Sequence, residues 1–382
     1  MVRKDTLILQ AHTVSQKMEM RKNIILQHIS LKGSIGRLEL GRNLRMSKSR
    51  LCEVVLEMIN EGLILETLNG TERRGRVPIP LSPNHDYGGF VGLDFEAKRM
   101  RVVLVDFAGK VLFQKHQELT PMANPQELID HLLGFIDQGL EAAKESNTKV
   151  LGVGVAAPGI INRKMGILVH YDFIEAAEDI PIRELIENYT GHPCVVDNNI
   201  RCYALTEWTS GAAKGMSDFI CLAVRSGFGS AIMLDGRLLD GSHGLSGEAG
   251  YSPIPSDKPV SEWKTFQEVV SEKALDVDVE GKDFKVFQKK AQIAGELLGA
   301  QAASLAALLD PEAIVLVGAL LEPDGELWPH VEKTFRRFIL PAIVDRVPLV
   351  HSQIGSFAAA IGATQRCFHE LYPVTSNANR SK

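Results

Sequence analysis

The chain has 382 residues, with 42 Lys and Arg against 47 Asp and Glu, a formal charge of -5. Apolar residues make up 45% and charged residues 23%, which excludes a disordered or collagen-like chain. The length fits two or three domains at ~150 residues each.

The total charge hides an asymmetry. Residues 1–84 carry 14 Lys and Arg against 8 Asp and Glu, and the remainder carries 28 against 39. A basic N-terminal segment on an acidic body points to a polyanionic partner. The pattern in this segment predicts a helix over Arg21 to Leu31, ended by Gly33, and a short second helix over Arg37 to Leu44. Met46-Ser47-Lys48-Ser49 reads as a turn opening a third helix. Its apolar face is Leu51, Val54, Val55, Met58 and Ile59, and Gly62 stops it. Leu63 to Leu68 reads as a strand, and Asn69-Gly70 is a hairpin turn signal.

Three short helices and a basic hairpin make a winged helix-turn-helix, whose third helix enters the major groove of double-stranded DNA. Ser47, Lys48, Ser49 and Arg50 stand on its first turn, and Arg73, Arg74 and Arg76 on the wing. Glu53 sits poorly with phosphate, and Arg45 stands where the turn favours glycine. A helical protein-interaction module of the same shape is the alternative. Pro78 to Asp86 reads as a Pro-rich linker.

Beyond it, Gly89 to Phe95, Met100 to Asp106 and Lys110 to Leu119 read as strands. Asn124 caps a helix with Pro125 at its first position and a buried stripe of Leu128, Leu132, Ile136, Leu140 and Ala143. Further strands are expected at Lys149 to Ala156, Phe219 to Val224, Ser230 to Leu234 and Ala313 to Val317, with a long helix over Phe287 to Leu309. A strand hairpin followed by alternating helices and strands implies an α/β body. No run of ~18 consecutive apolar residues occurs, so no membrane span is expected. The first residues lack the apolar core of a signal peptide. Cys52, Cys194, Cys202, Cys221 and Cys367 show no paired spacing, which fits a reducing cytoplasm.

Several ordered motifs then resemble the ROK family (repressor, open reading frame, kinase). Gly92-Leu93-Asp94 is similar to the opening strand of its first phosphate loop, and Gly152 to Gly159 to its connecting segment. Asp179 to Leu185 resembles the approach to its sugar site, with Asp179 where asparagine is common. Asp197-Asn198-Asn199 resembles its catalytic Glu-Asn-Asp, Ser226-Gly227-Phe228-Gly229 its second phosphate loop, and Gly247-Glu248-Ala249-Gly250-Tyr251 its sugar-binding Gly-Glu-x-Gly-His. Val317-Gly318 and Gly355 to Ala363 resemble its adenosine-side and closing-helix motifs. The resemblance implies a two-lobed actin/hexokinase-like body over residues 85–382. The small lobe would span about 88–200 plus the C-terminal helix, and the large lobe about 201–355.

The departures from the family pattern matter as much. Asn199 stands where the family's kinases keep an aspartate base, and an amide cannot take a proton near neutral pH. Glu96-Ala97-Lys98 replaces the first loop's Gly-Gly-Thr, setting a carboxylate toward the phosphate, and Arg225 replaces a glycine, where it could bind an anion. Tyr251 replaces the zinc histidine, and the cysteine run after it is missing. No catalytic residue, metal or cofactor is therefore assigned. The sugar-facing set implied by the resemblance is Asn198, Asn199, Glu248, Tyr251 and Gln267, with His170 and His243 on cleft-facing loops. The expectation is a sugar-responsive repressor, a homodimer or homotetramer, that binds a DNA operator and a carbohydrate effector. An ATP-dependent sugar kinase and a DNA-binding protein with a vestigial cleft are the alternatives.

Overall fold

The computed structural model describes residues 13–66 and 79–374, apart from 97, 121, 123, 172, 175–176 and 278–282. Helix α1 (Val14–Lys32) begins seven residues before the expected start. Thr13 and Gln16 form a reciprocal capping box there, the Thr13 Oγ1 accepting from the Gln16 N–H and the Gln16 Oε1 from the Thr13 N–H. Gly33 ends the helix at a φ of 74°. Helices α2 (Arg37–Asn43) and α3 (Lys48–Asn60) follow. Arg45 takes the left-handed turn position with a φ of 51°. Ser47 occupies the N-cap of α3 without a side-chain cap bond. Lys22 is buried and sets its Nζ among Glu19, Glu57 and Glu61 at 3.1, 2.7 and 2.6 Å, tying α1 to the end of α3.

Strands β1 (Ile35–Gly36), β2 (Ile64–Glu66) and β3 (Pro80–Pro83) form a sheet with β3 in the centre. This corrects the reading of Pro78 to Asp86 as a linker. Pro80 and Pro83 stand at the ends of β3, so the missing N–H groups fall where pairing stops. Leu81 between them is fully buried. The Asn84 amide then donates to the Gly62 carbonyl at 2.8 Å. The Asn69-Gly70 turn and the wing arginines lie outside the described residues.

The body opens with the antiparallel strands β4 (Gly89–Glu96), β5 (Arg99–Asp106) and β6 (Val111–Glu118). Helix α4 (Pro125–Glu145), with Asn124 accepting from the Glu127 N–H, leads to β7 (Val150–Ala157). A small sheet of β8 (Ile160–Asn162), β9 (Ile167–His170) and β10 (Glu178–Ile180) and helix α5 (Ile182–Thr190) precede β11 (Cys194–Asn198). The first large sheet has the order β11-β7-β4-β5-β6.

Helix α6 (Asn199–Ser210) crosses to the second large sheet, β14-β13-β12-β17-β18. Its strands are β12 (Phe219–Val224), β13 (Phe228–Leu234), β14 (Arg237–Leu238), β17 (Ala313–Val317) and β18 (Leu349–His351). A short pair, β15 (Pro253–Ile254) and β16 (Lys264–Thr265), precedes helix α7 (Gln267–Val270). Helix α8 (Phe284–Leu309) is long and apolar enough to cross a membrane by length and composition. Here it packs its Ala- and Gly-rich face against α9 (Trp328–Phe338) and joins the core of this lobe.

The last helix, α10 (Ala358–Leu371), packs on β4, β7 and α6. The approach is close because Gly154 carries no side chain: a Cβ there would lie 2.0 Å from the Ala363 carbonyl oxygen. The N-terminal helices share one apolar core with the body, through Phe90, Phe107 and Phe368. The Phe107 ring stands edge-on to Phe368 and Tyr372, each at 5.6 Å between centroids. Asn23 and Gln27 on α1 donate to the Pro373 and Tyr372 carbonyls at 3.0 and 2.7 Å. The N-terminal unit is thus seated on the end of α10.

Gly154→Ala should destabilise the fold by about 1–3 kcal/mol, because neither the strand nor the helix backbone can yield freely. Urea denaturation followed by circular dichroism checks this, and an unchanged midpoint counts against the close packing.

Candidate functional site

The two large sheets face each other across a cleft. Its walls come from the end of β7, from the β11–α6 junction, from β13 and from the loop after β14. All five residues expected to face a sugar line this cleft: Asn198, Asn199, Glu248, Tyr251 and Gln267. His170, Tyr171, Phe173 and Phe228 complete its more polar and aromatic walls. The motifs already name His170 and Phe228, whereas Tyr171 and Phe173, just after β9, carry no periodic signal and were not foreseen. His243 is exposed on its loop and does not line the cleft, contrary to expectation.

The five side chains are not equivalent. Asn198 is the N-cap of α6: its Oδ1 accepts from the Ile200 N–H at 2.9 Å, and its Nδ2 donates to the Gly159 carbonyl at 3.2 Å. Its amide therefore shapes the cleft floor as well as facing it. Asn199 is buried at the first turn of α6 and makes no side-chain hydrogen bond to a described residue. Tyr251 is exposed at the rim, and Gln267 starts α7. Glu248 is half-buried, and its carboxylate accepts no hydrogen bond from a described residue. Burial pushes its carboxyl above the ordinary value, and Arg201 and Arg163 only partly oppose this. An unpaired, partly desolvated carboxylate is matched to a ligand that brings its own donors.

Under the floor lies Asp197, fully buried. Its Oδ1 accepts from Arg201 Nε and its Oδ2 from Arg366 Nε, both at 2.8 Å. Arg201 and Arg163 also donate to Asp240, at 2.7 and 2.6 Å. Burial alone would raise the Asp197 carboxyl, but Arg201, Arg366 and Arg163 hold it below the ordinary aspartate value.

Arg225 and Glu96 do not stand as the sequence suggested. Arg225, at the end of β12, reaches across the lobes and donates through Nη2 to Asp94 Oδ2 at 3.3 Å and to Glu96 Oε1. Arg101 donates to the same two oxygens at 2.8 and 2.9 Å. The Arg225 guanidinium also lies 4.9 Å from the Tyr203 ring centroid. Arg225 is therefore no open anion site, and Glu96 no bare negative charge. Burial raises the Glu96 carboxyl, yet Arg225 and Arg101 outweigh it and hold it below the ordinary value. Half of this cluster was legible: Asp94 and Arg101 are register partners in the β4–β5 hairpin. The other half joins residues far apart in the chain.

The N-terminal unit offers a separate surface. Ser47, Lys48, Ser49 and Arg50 are all exposed on the first turn of α3, next to exposed Arg45. Glu53 is exposed on the following turn. A roomier hollow, about 680 Å³, lies elsewhere, between α1 and the β13–β14 edge, and holds none of the expected site residues.

The chain belongs to the ROK family, whose model matches residues 90–367. Its body has the two-lobed α/β architecture of the actin/hexokinase-like ROK proteins. A xylose repressor of Bacillus subtilis (strain 168) is 23% identical, over 90% of this chain and 94% of that protein. A xylose repressor of Caldicellulosiruptor bescii is 27% identical over 236 residues, and the match spans 59% of that protein's length. Among solved structures, a ROK family transcriptional regulator, a homolog of the E. coli MLC protein, superposes with a TM-score of 0.78 at 22% identity, covering 94% of this chain and 97% of that one. A ROK family glucokinase from Streptomyces griseus, solved with glucose and AMPPNP, gives 0.62 at 22% identity, covering 73% of this chain and 99% of that one.

Glu248→Gln should make the empty protein more stable at neutral pH, by about 1 kcal/mol. The sign follows from the raised folded-state carboxyl, since the ionised form costs stability there. The gain over wild type should vanish below about pH 4, where both side chains are neutral. Thermal melts of both proteins across this range check it.

Proposed function

We propose that this protein is a sugar-responsive, DNA-binding transcriptional regulator, a repressor whose operator binding is set by a carbohydrate in the interlobe cleft. It acts without kinase activity. The observation that carries this reading is the division of the cleft. Its sugar side gathers Asn199, Glu248, Tyr251 and Gln267, while its phosphate side is filled by the Asp94–Glu96–Arg101–Arg225 cluster. Asn199 has no carboxylate to serve as base. The repressor names of the relatives, and the regulator with the same fold along nearly the whole chain, support the same reading.

In this reading the N-terminal unit is a winged helix-turn-helix, with α3 as its recognition helix. Ser47, Lys48, Ser49 and Arg50 contact the operator, and Arg73, Arg74 and Arg76 contact it from the wing. A homodimer places two such helices on a palindromic site. The signal runs through packed structure rather than through a linker. Glu248 lies on the loop that carries Asp240, Asp240 is bonded to Arg201, and Asp197 joins Arg201 to Arg366 on α10. The end of α10 holds α1. The effector shifts DNA binding only by its difference in affinity between two arrangements of these parts.

Glu248→Ala should weaken sugar binding by at least tenfold and leave operator binding in place, while Arg50→Ala should do the reverse. Calorimetry with sugars and a gel-shift titration with operator DNA check the separation. Loss of both activities in either variant contradicts it. Arg366→Lys should keep both activities and reduce their coupling from the usual ~5- to 150-fold toward one. The readout is operator affinity with and without sugar.

A further inference from the structure

The cleft also carries information about the charge of its ligand. Among the described residues, Arg225 is the one lysine or arginine on the cleft wall, and Glu248 the one carboxylate. The Arg225 charge is already balanced, because Asp94 and Glu96 share it with Arg101. Two arginines against two carboxylates leave that cluster neutral. Glu248 keeps its own charge uncompensated by any hydrogen bond from a described residue. Lys273 lies over the Phe173 ring, 4.5 Å from its centroid, but is not on the cleft wall.

Space points the same way. The cleft is small, about 80 Å³. The neutral cluster forms the wall between it and a second hollow of about 220 Å³. That hollow is lined by Glu96, Glu272 and Glu322 and by Arg99, Arg101 and Arg225, so its three arginines are matched by three carboxylates and it offers a phosphate no net positive charge. The groups left facing the cleft suit hydroxyls: the Glu248 carboxylate accepts them, and the Asn199 amide both gives and accepts.

From this arrangement, resting on the reading of the cleft as a sugar sensor, we infer that the effector is a neutral monosaccharide, that its phosphorylated form is refused, and that Glu96 sets this choice. Arg225 retains a buried Nη1 without a hydrogen-bond partner. The donor a phosphate needs is therefore present, and Glu96 cancels the charge that would make it effective. Glu96 does not line the cleft. It acts as a specificity determinant through Arg225.

The test is calorimetry on the full chain. The probes are D-xylose, D-glucose and N-acetyl-D-glucosamine, each beside its own phosphate monoester, at fixed ionic strength. Wild type should bind one free sugar at least about tenfold more tightly than its phosphate, since an unpaired like charge is strongly disfavoured. Glu96→Gln should move the ratio toward the phosphate by at least about tenfold. Circular dichroism shows whether the variant folds, and the wild-type comparison stands without it. A wild-type preference for a phosphate monoester overturns the inference while leaving a sugar sensor in place. So does an unmoved ratio in folded Glu96→Gln. No heat from any probe overturns the reading of the cleft as a sugar sensor, and this inference with it.

Discussion

Asp197 is the group on which the rest of the molecule depends. A carboxylate that is fully buried costs several kcal/mol in lost hydration unless it is paired with good geometry. Here Arg201 holds one oxygen and Arg366 the other, both at 2.8 Å. The Asn198 backbone N–H adds a third bond to Oδ1, also at 2.8 Å. One side chain thereby fixes the start of α6, the face of α10 and, through Arg201 and Asp240, the loop leading to Glu248. The cleft floor is as rigid as this arrangement makes it, because Asn198 and Asn199 follow directly in the chain.

The second ionic cluster works on the other side of the same cleft, and its logic differs. Asp94, Glu96 and Arg101 lie on adjacent strands of one sheet, whereas Arg225 comes from the other. Its bonds therefore cross the gap between the lobes. Removing Arg225 would leave Asp94 and Glu96 sharing one cation in a buried place, the situation in which a broken pair costs most. Such a cluster adds little net stability over an apolar replacement. Its effect is to favour one distance between the lobes.

What could be read from the chain divides along the distance between interacting residues. Gly33 and the Asn124-Pro125 cap were legible because a positive φ and a helix cap are local requirements. The five cleft residues followed from ordered motifs, and the fold gathers them around one cavity. Pro78 to Asp86 reads as a linker because prolines usually mark loops, while the pairing partners of its strand, at Ile35 and Ile64, lie far back in the chain. The start of α1 was placed late because its apolar stripe begins after its cap, although Thr13 and Gln16 had the right spacing for a box. The sequence leaves Arg225 able to bind an anion because its carboxylates lie 129 and 131 residues away. No window of sequence contains that pairing.

The seating of the N-terminal unit changes how a cleft can control a distant surface. A flexible linker would transmit little, since it decouples the orientation of what it joins. Here Ile25, Leu26 and Ile29 of α1 share a core with Phe90 on β4 and Phe368 on α10. Close-packed cores resist gradual deformation and move as units between discrete arrangements. The N-terminal unit is packed on α10, and α10 is bonded through Arg366 to the carboxylate under the cleft floor. A shift at Asp197 thus has a contiguous path of bonded and packed residues through α10 to α1.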